Sequence, residues 1–151
     1  PNFVVIIAGE DDRGEALAAA SKRMPGISQA SLAPLVNLRD DTYCVVAAYA
    51  GGAGANTYTA ALAVIRAENP GLLRLSCIHE ELAQGMGLAN DSPAARPSIF
   101  NDDDEFALLT RHDELLLRML YDPRLRTGMT ADEARTTVKQ IATELTNTGP
   151  V

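Results

Sequence analysis

The sequence predicts an α+β fold, a small mixed sheet with helices packed on it. Three observations carry that prediction. Short apolar runs rich in β-branched residues occupy the first 67 positions, while apolar residues at three- and four-residue spacing dominate the remainder. Gly, Pro, Asn and Asp clusters separate the runs at short intervals. At 151 residues, with 46% hydrophobic and 22% charged side chains, the chain has the size and composition of one globular domain, read as residues 1–151.

Phe3-Val4-Val5-Ile6-Ile7-Ala8 is a continuous apolar run and predicts a buried strand. Gly9 to Gly14 is a turn, and the alanine-rich Glu15 to Met24 predicts a helix ended by Pro25-Gly26. Leu32 to Leu38 contains Pro34 and reads as a short strand or an extended connection. Tyr43 to Tyr49 predicts a second strand and Thr57 to Ala67 a third, joined by the loop Gly51–Asn56. After the turn Asn69-Pro70-Gly71 comes the central helix. Within it Ile78, Leu82 and Met86 form an apolar stripe, and Gly87 suits a left-handed cap. Residues 90–105 have no periodicity, and a loop that long is usually functional or pinned. Thr110, with Asp113 three residues on, opens a helix through Tyr121 that Asp122-Pro123 stops. Thr130-Ala131-Asp132-Glu133 is a capping box for a last helix to about Leu145, and Asn147 to Val151 should fray.

The net charge of −7 and pI near 4.7 exclude nucleic acid and anionic membrane surfaces as partners, since both require a basic face. No apolar run approaches the roughly 20 residues of a membrane span. A chain beginning Pro1-Asn2-Phe3 reads as processed or truncated. The two cysteines, Cys44 and Cys77, admit two readings from spacing: buried thiols, or one disulfide pinning the central helix to the sheet.

Several stretches invite a chemical reading that their spacing does not sustain. Gly51–Asn56 lacks the Lys-Ser/Thr of a phosphate loop and reads as a strand connection. The run Asp102-Asp103-Asp104-Glu105 lacks the spaced ligands and central glycine of a calcium loop. His112 falls in the first turn of its helix and reads as a surface residue. His79-Glu80 looks like the start of HExxH, but position 83 is alanine, and Met86 and Ala89 replace the turn glycine and third ligand.

Starting one residue later, Glu80-Glu81-x-x-Gln84-x-x-Gly87-x-x-Asn90-Asp91 resembles the HExxHxxGxxH/D motif of the metzincin branch of the zincin metallopeptidases. The resemblance places Glu81 at the general-base position and Gly87 at the turn glycine. Glu80, Gln84 and Asn90, with Asp91 beside it, fall at the metal-ligand positions. Ser98-Ile99-Phe100-Asn101 is similar to the Met-turn of those enzymes, with Phe100 in place of methionine. Leu109 to Tyr121 is similar to the helix that follows it. The implied fold is zincin-like: a small mixed sheet below the motif helix, a long loop with the turn, and two C-terminal helices. The whole chain also resembles a family of bacterial exported domains of uncharacterised function. That likeness lies in the EExxQxxGLxND core, the SIFND turn and a cysteine just before the motif helix. It implies a Cys44–Cys77 disulfide and a periplasmic or lipoprotein setting, with the signal or lipoprotein segment removed.

The departures from the motif set the functional expectation. Zinc prefers imidazole and thiolate, whereas the amides of Gln84 and Asn90 are weak, neutral ligands, so this set suits a hard divalent cation or no cofactor. Without a Lewis acid Glu81 has no acidified water to use. The expected role is therefore a non-catalytic, zincin-derived domain, structural or binding an extended peptide or envelope protein. In it Glu80, Glu81, Gln84, Asn90, Asp91 and the Ser98–Asn101 turn form a buried hydrogen-bond network. The alternative is a divergent metal-dependent peptide hydrolase with Glu81 as base.

Overall fold

The computed structural model of the chain describes residues 1–24, 26–52, 54–55, 57–101 and 105–147. The described residues fall into two compact units, divided between Ala89 and Asn90. No described helix is long and apolar enough to cross a membrane.

The first unit is built on a three-stranded sheet of order β1-β3-β2, with β1 Phe3–Ala8, β2 Cys44–Ala50 and β3 Tyr58–Arg66. β3 is central: β1 pairs with it in parallel and β2 antiparallel, so Ile6 and Val45 both sit opposite Val64. That position explains the composition of β3. Ala60 to Arg66 are all buried, and a strand covered on both faces needs a continuous apolar run rather than an alternating one.

Alternation sorts the two faces. Ile6, Ala8, Leu62, Val64, Val45 and Ala47 point to one side, where α1 (Arg13–Ser21) and α2 (Gln29–Val36) bring Leu17, Met24, Leu32 and Leu35. Phe3, Val5 and Ile7, with Ala61, Ala63, Ile65, Val46 and Cys44, lie on the other side, across which α3 (Gly71–Gly85) runs.

α2 replaces the strand or extended connection expected at Leu32–Leu38. Its start carries a cap that the sequence already contained: Ser28 Oγ accepts the Ser31 amide at 3.2 Å. The helix places Leu32 and Leu35, three apart, into the core, where both are almost fully buried. That burial outweighs the backbone bond forfeited at Pro34.

α3 begins at Gly71, directly after Pro70. It ends in a Schellman motif: Leu88 N donates to Ala83 O at 3.1 Å and Gly87 N to Gln84 O at 2.9 Å, with Gly87 at φ 123°. Gly85 has a different task. A Cβ there would sit 2.5 Å from Phe3 Cζ and 3.1 Å from Val46 Cγ2, so glycine lets the helix approach the sheet closely. Gly85→Ala should destabilise the first unit by about 1–3 kcal/mol through overpacking, measured as a drop in denaturation midpoint.

The second unit contains α4 (Arg111–Leu120) and α5 (Ala131–Asn147). α4 has a complete capping box between Thr110 and Asp113. Before α5, Glu133 accepts the Thr130 amide at 2.7 Å while Thr130 Oγ1 accepts the Glu133 amide at 3.3 Å. Arg124 grips Asp122 and Glu144 together, at 2.8 and 2.7 Å, fixing the turn after α4 to the exposed side of α5.

Candidate functional site

The motif residues are divided between the two units. Glu80, Glu81, Gln84 and Gly87 belong to α3 and its cap in the first unit. Asn90, Asp91, Ser98, Ile99 and Phe100 belong to the second.

In the first unit the helix repeat sets the geometry. Cys77, Glu81 and Gly85 succeed one another at four-residue spacing on the side of α3 that meets the sheet. Cys77 is bonded to Cys44 of β2, with Cα atoms 5.8 Å apart, and neither sulfur is a free thiol. The disulfide is consistent with an extracellular or otherwise oxidising compartment. Glu81, 5% exposed, follows on the same side, and Glu80 is half-buried next to it. One carboxylate oxygen from each and the Cys44 sulfur lie within 4.8 Å of one another, the one group of three His, Cys, Asp or Glu side chains that converges among the described residues. Asn69 completes the surroundings: its Nδ2 donates to Tyr43 O at 3.0 Å and lies 3.6 Å from Cys77 Sγ.

This cluster differs from the ligand set read in the motif. Glu80 is shared, and among His, Cys, Asp and Glu side chains its convergent neighbours are the base candidate Glu81 and a cysteine from another element. A sulfur in a disulfide is a poor metal ligand, because the ligand is the thiolate. What the oxidised cluster offers a cation is therefore two carboxylates. Cys44 could not be assigned to the cluster from the motif, because 36 positions separate it from Glu80 and only the β2–β3 pairing brings it under α3.

In the second unit the turn Ser98–Asn101 is organised by Asp113, which the sequence marked as the third residue of a capped helix similar to the one after the Met-turn. Asp113 is fully buried. Its Oδ1 accepts the Ser98 hydroxyl at 2.5 Å, and its Oδ2 accepts the amides of Ile99 at 3.1 Å and Thr110 at 2.8 Å. The Thr110 hydroxyl lies 2.8 Å from the Pro97 carbonyl and 2.9 Å from Asp113 Oδ2, and its single proton can serve one of them. Burial raises the Asp113 pKa, but the bonds from Ser98, Thr110 and Ile99 outweigh it and hold the carboxyl below its ordinary value. Ser98 Oγ also accepts the Phe100 amide at 3.1 Å, and Phe100 O accepts from Ser92 N at 2.8 Å. Phe100, at the place of the methionine in the resembled turn, is 4% exposed, and the peptide before Pro97 is cis.

His112 is half-buried rather than a plain surface residue, with Nδ1 4.0 Å from Asp113 Oδ1. His79 makes no part of the Cys44–Glu80–Glu81 group. Gly51 and Gly52 line an open cavity of about 470 Å³ with Tyr49 and Thr59, and its lining carries no basic side chain. Asp102–Asp104 of the acidic run lie outside the described residues.

Comparison with curated proteins finds no match, and comparison with solved structures finds none either. A family described as "Protein of unknown function (DUF2927)" matches residues 1–140, most of the chain. The chain belongs to this DUF2927 family.

Proposed function

We propose that the chain is a non-catalytic domain of zincin type, set in the bacterial envelope, with a structural or peptide-binding role. The observation that carries this reading is the donor chemistry around α3. The ligand positions of the motif hold Glu80, Gln84, Asn90 and Asp91, and the one sulfur beside the carboxylates is tied up in a disulfide. No imidazole and no free thiolate remains in that set, so zinc is held weakly there and Glu81 lacks the metal-bound water that a general base of this kind would act on.

Two features support the further parts of the reading. The disulfide fits an exported protein. β1 and β2 are both edge strands, and on β1 Val5 and Ile7 stay exposed, an arrangement that can receive an extended peptide by strand addition.

The test is elemental analysis of the oxidised protein together with a peptidase assay of the wild type and Glu81→Gln. No stoichiometric metal and no difference in hydrolysis between the two proteins is the expected result. Bound metal with hydrolysis that Glu81→Gln abolishes would establish the hydrolase reading in its place.

A further inference from the structure

The Cys44–Cys77 disulfide and the Glu80–Glu81 pair occupy the same place, and this has a consequence for the reduced chain. We propose that reduction of the disulfide creates a zinc site made of the Cys44 and Cys77 thiolates and the carboxylates of Glu80 and Glu81.

The geometry supplies four anionic donors from two elements. Cys44 Sγ and one oxygen from each glutamate already lie within 4.8 Å of one another; Cys77 Sγ, bonded to Cys44 Sγ, stands outside that group and is the donor that has to move in. A tetrahedral zinc holds sulfurs at about 2.3 Å and carboxylate oxygens at about 2.0–2.2 Å, which puts its donors roughly 3.3–3.8 Å apart. Once the S–S bond is cut, the two sulfurs must separate to about that spacing, the carboxylates must close on Cys44 by up to about 1.5 Å, and the Cys77 thiolate must turn toward them. Cysteine and glutamate rotations cover such movements without moving the backbone. Electrostatics points the same way. Oxidised sulfur is neutral and cannot ionise, whereas two thiols beside two carboxylates can give up their protons to a divalent cation that offsets the gathered negative charge. The sulfur pair also alters which metal the cluster prefers: two carboxylates alone suit a hard cation, whereas thiolates select zinc.

The redox step balances with a thiol reductant. A dithiol's thiolate attacks the sulfur of Cys44, the less buried residue of the pair, and Cys77 leaves as thiolate. The second thiol of the reductant then displaces Cys44 from the mixed disulfide. Two electrons pass to the protein, and the reductant leaves as a cyclic disulfide. Zinc binding releases whatever protons the two thiols carry.

The experiment titrates zinc chloride into the full chain, oxidised and after reduction by a phosphine that is then removed, in competition with a chromophoric chelator. The reduced wild type should bind one zinc per chain at least about 100-fold more tightly than the oxidised form. Glu80→Gln/Glu81→Gln should weaken the reduced site by about tenfold or more, and Cys44→Ser/Cys77→Ser should remove it. Equal affinity of the reduced and oxidised chains would overturn the proposal. So would a glutamine variant that binds as tightly as wild type, which is also the outcome if reduction simply unfolds the chain and exposes two thiols. X-ray absorption of the zinc-loaded wild type avoids dependence on the glutamate variant's folding. A shell without two sulfurs and two oxygens rejects the site, and the glutamine comparison tells carboxylate oxygens from water.

Discussion

Replacing both Cys44 and Cys77 by alanine should lower the stability of the first unit by about 3–4 kcal/mol, the chain-entropy value for a loop of this size. The bridge joins residues 33 positions apart. In the unfolded chain it removes the freedom of a loop that contains β3 and the first half of α3. In the folded unit it ties the edge strand β2 to the helix, and Cys77 is almost fully buried there. For a unit of this length the loss corresponds to a fall in melting temperature of more than about 10 °C. Calorimetry of wild type and the double alanine variant at pH 7 measures it. A change below about 1 kcal/mol would mean that the helix is held on the sheet by packing around Gly85 and Ile65 alone.

Asp113→Ala should have an effect of similar size on the second unit, about 3–5 kcal/mol. The substitution removes a carboxylate that accepts from the Ser98 hydroxyl and from the Ile99 and Thr110 amides, all around a fully buried position. It leaves those donors without their acceptor and takes the reciprocal half from the α4 capping box. Asp113→Asn should be milder but still destabilising, because an amide offers one acceptor oxygen and sets an N–H₂ against donors. The same residue predicts a pH dependence. Its folded pKa is held below its ordinary value, so the stabilisation is fully present above about pH 4 and is lost as the pH falls through the folded pKa. In Asp113→Asn that acid-dependent part of the loss should shrink, read by urea denaturation between pH 2.5 and 7. Asp122, held down to about 2 by Arg124, titrates in the same direction, so the comparison with wild type is what isolates Asp113.

Much of the local structure was legible because it rests on local rules. β1 coincides with the apolar run Phe3–Ala8, and the start of α4 with the Thr110–Asp113 signature. Gly87 takes the left-handed conformation that a helix followed by a turn demands. These features depend on neighbours within a few residues, and the amino-acid types express them directly. Leu32 to Leu38 was not legible, since a proline in a short apolar segment argues locally against helix. Only the core that receives Leu32 and Leu35 reverses that preference.

For the candidate site, the sequence by itself determined the chemistry on offer: two adjacent glutamates and a glutamine on one helix, a glycine stop, and no histidine at the ligand positions. Tertiary structure alone decided what those groups meet. Pairing of β2 with β3 carries Cys44 beneath α3, where it bonds Cys77 and stands against Glu80 and Glu81. Chain reversal carries Ser98 and Ile99 back to Asp113, 15 and 14 positions away in sequence. The reason is physical. Helical spacing fixes which side chains share a face, but the partner across from that face is set by long-range pairing and burial, and no short stretch of the chain encodes it.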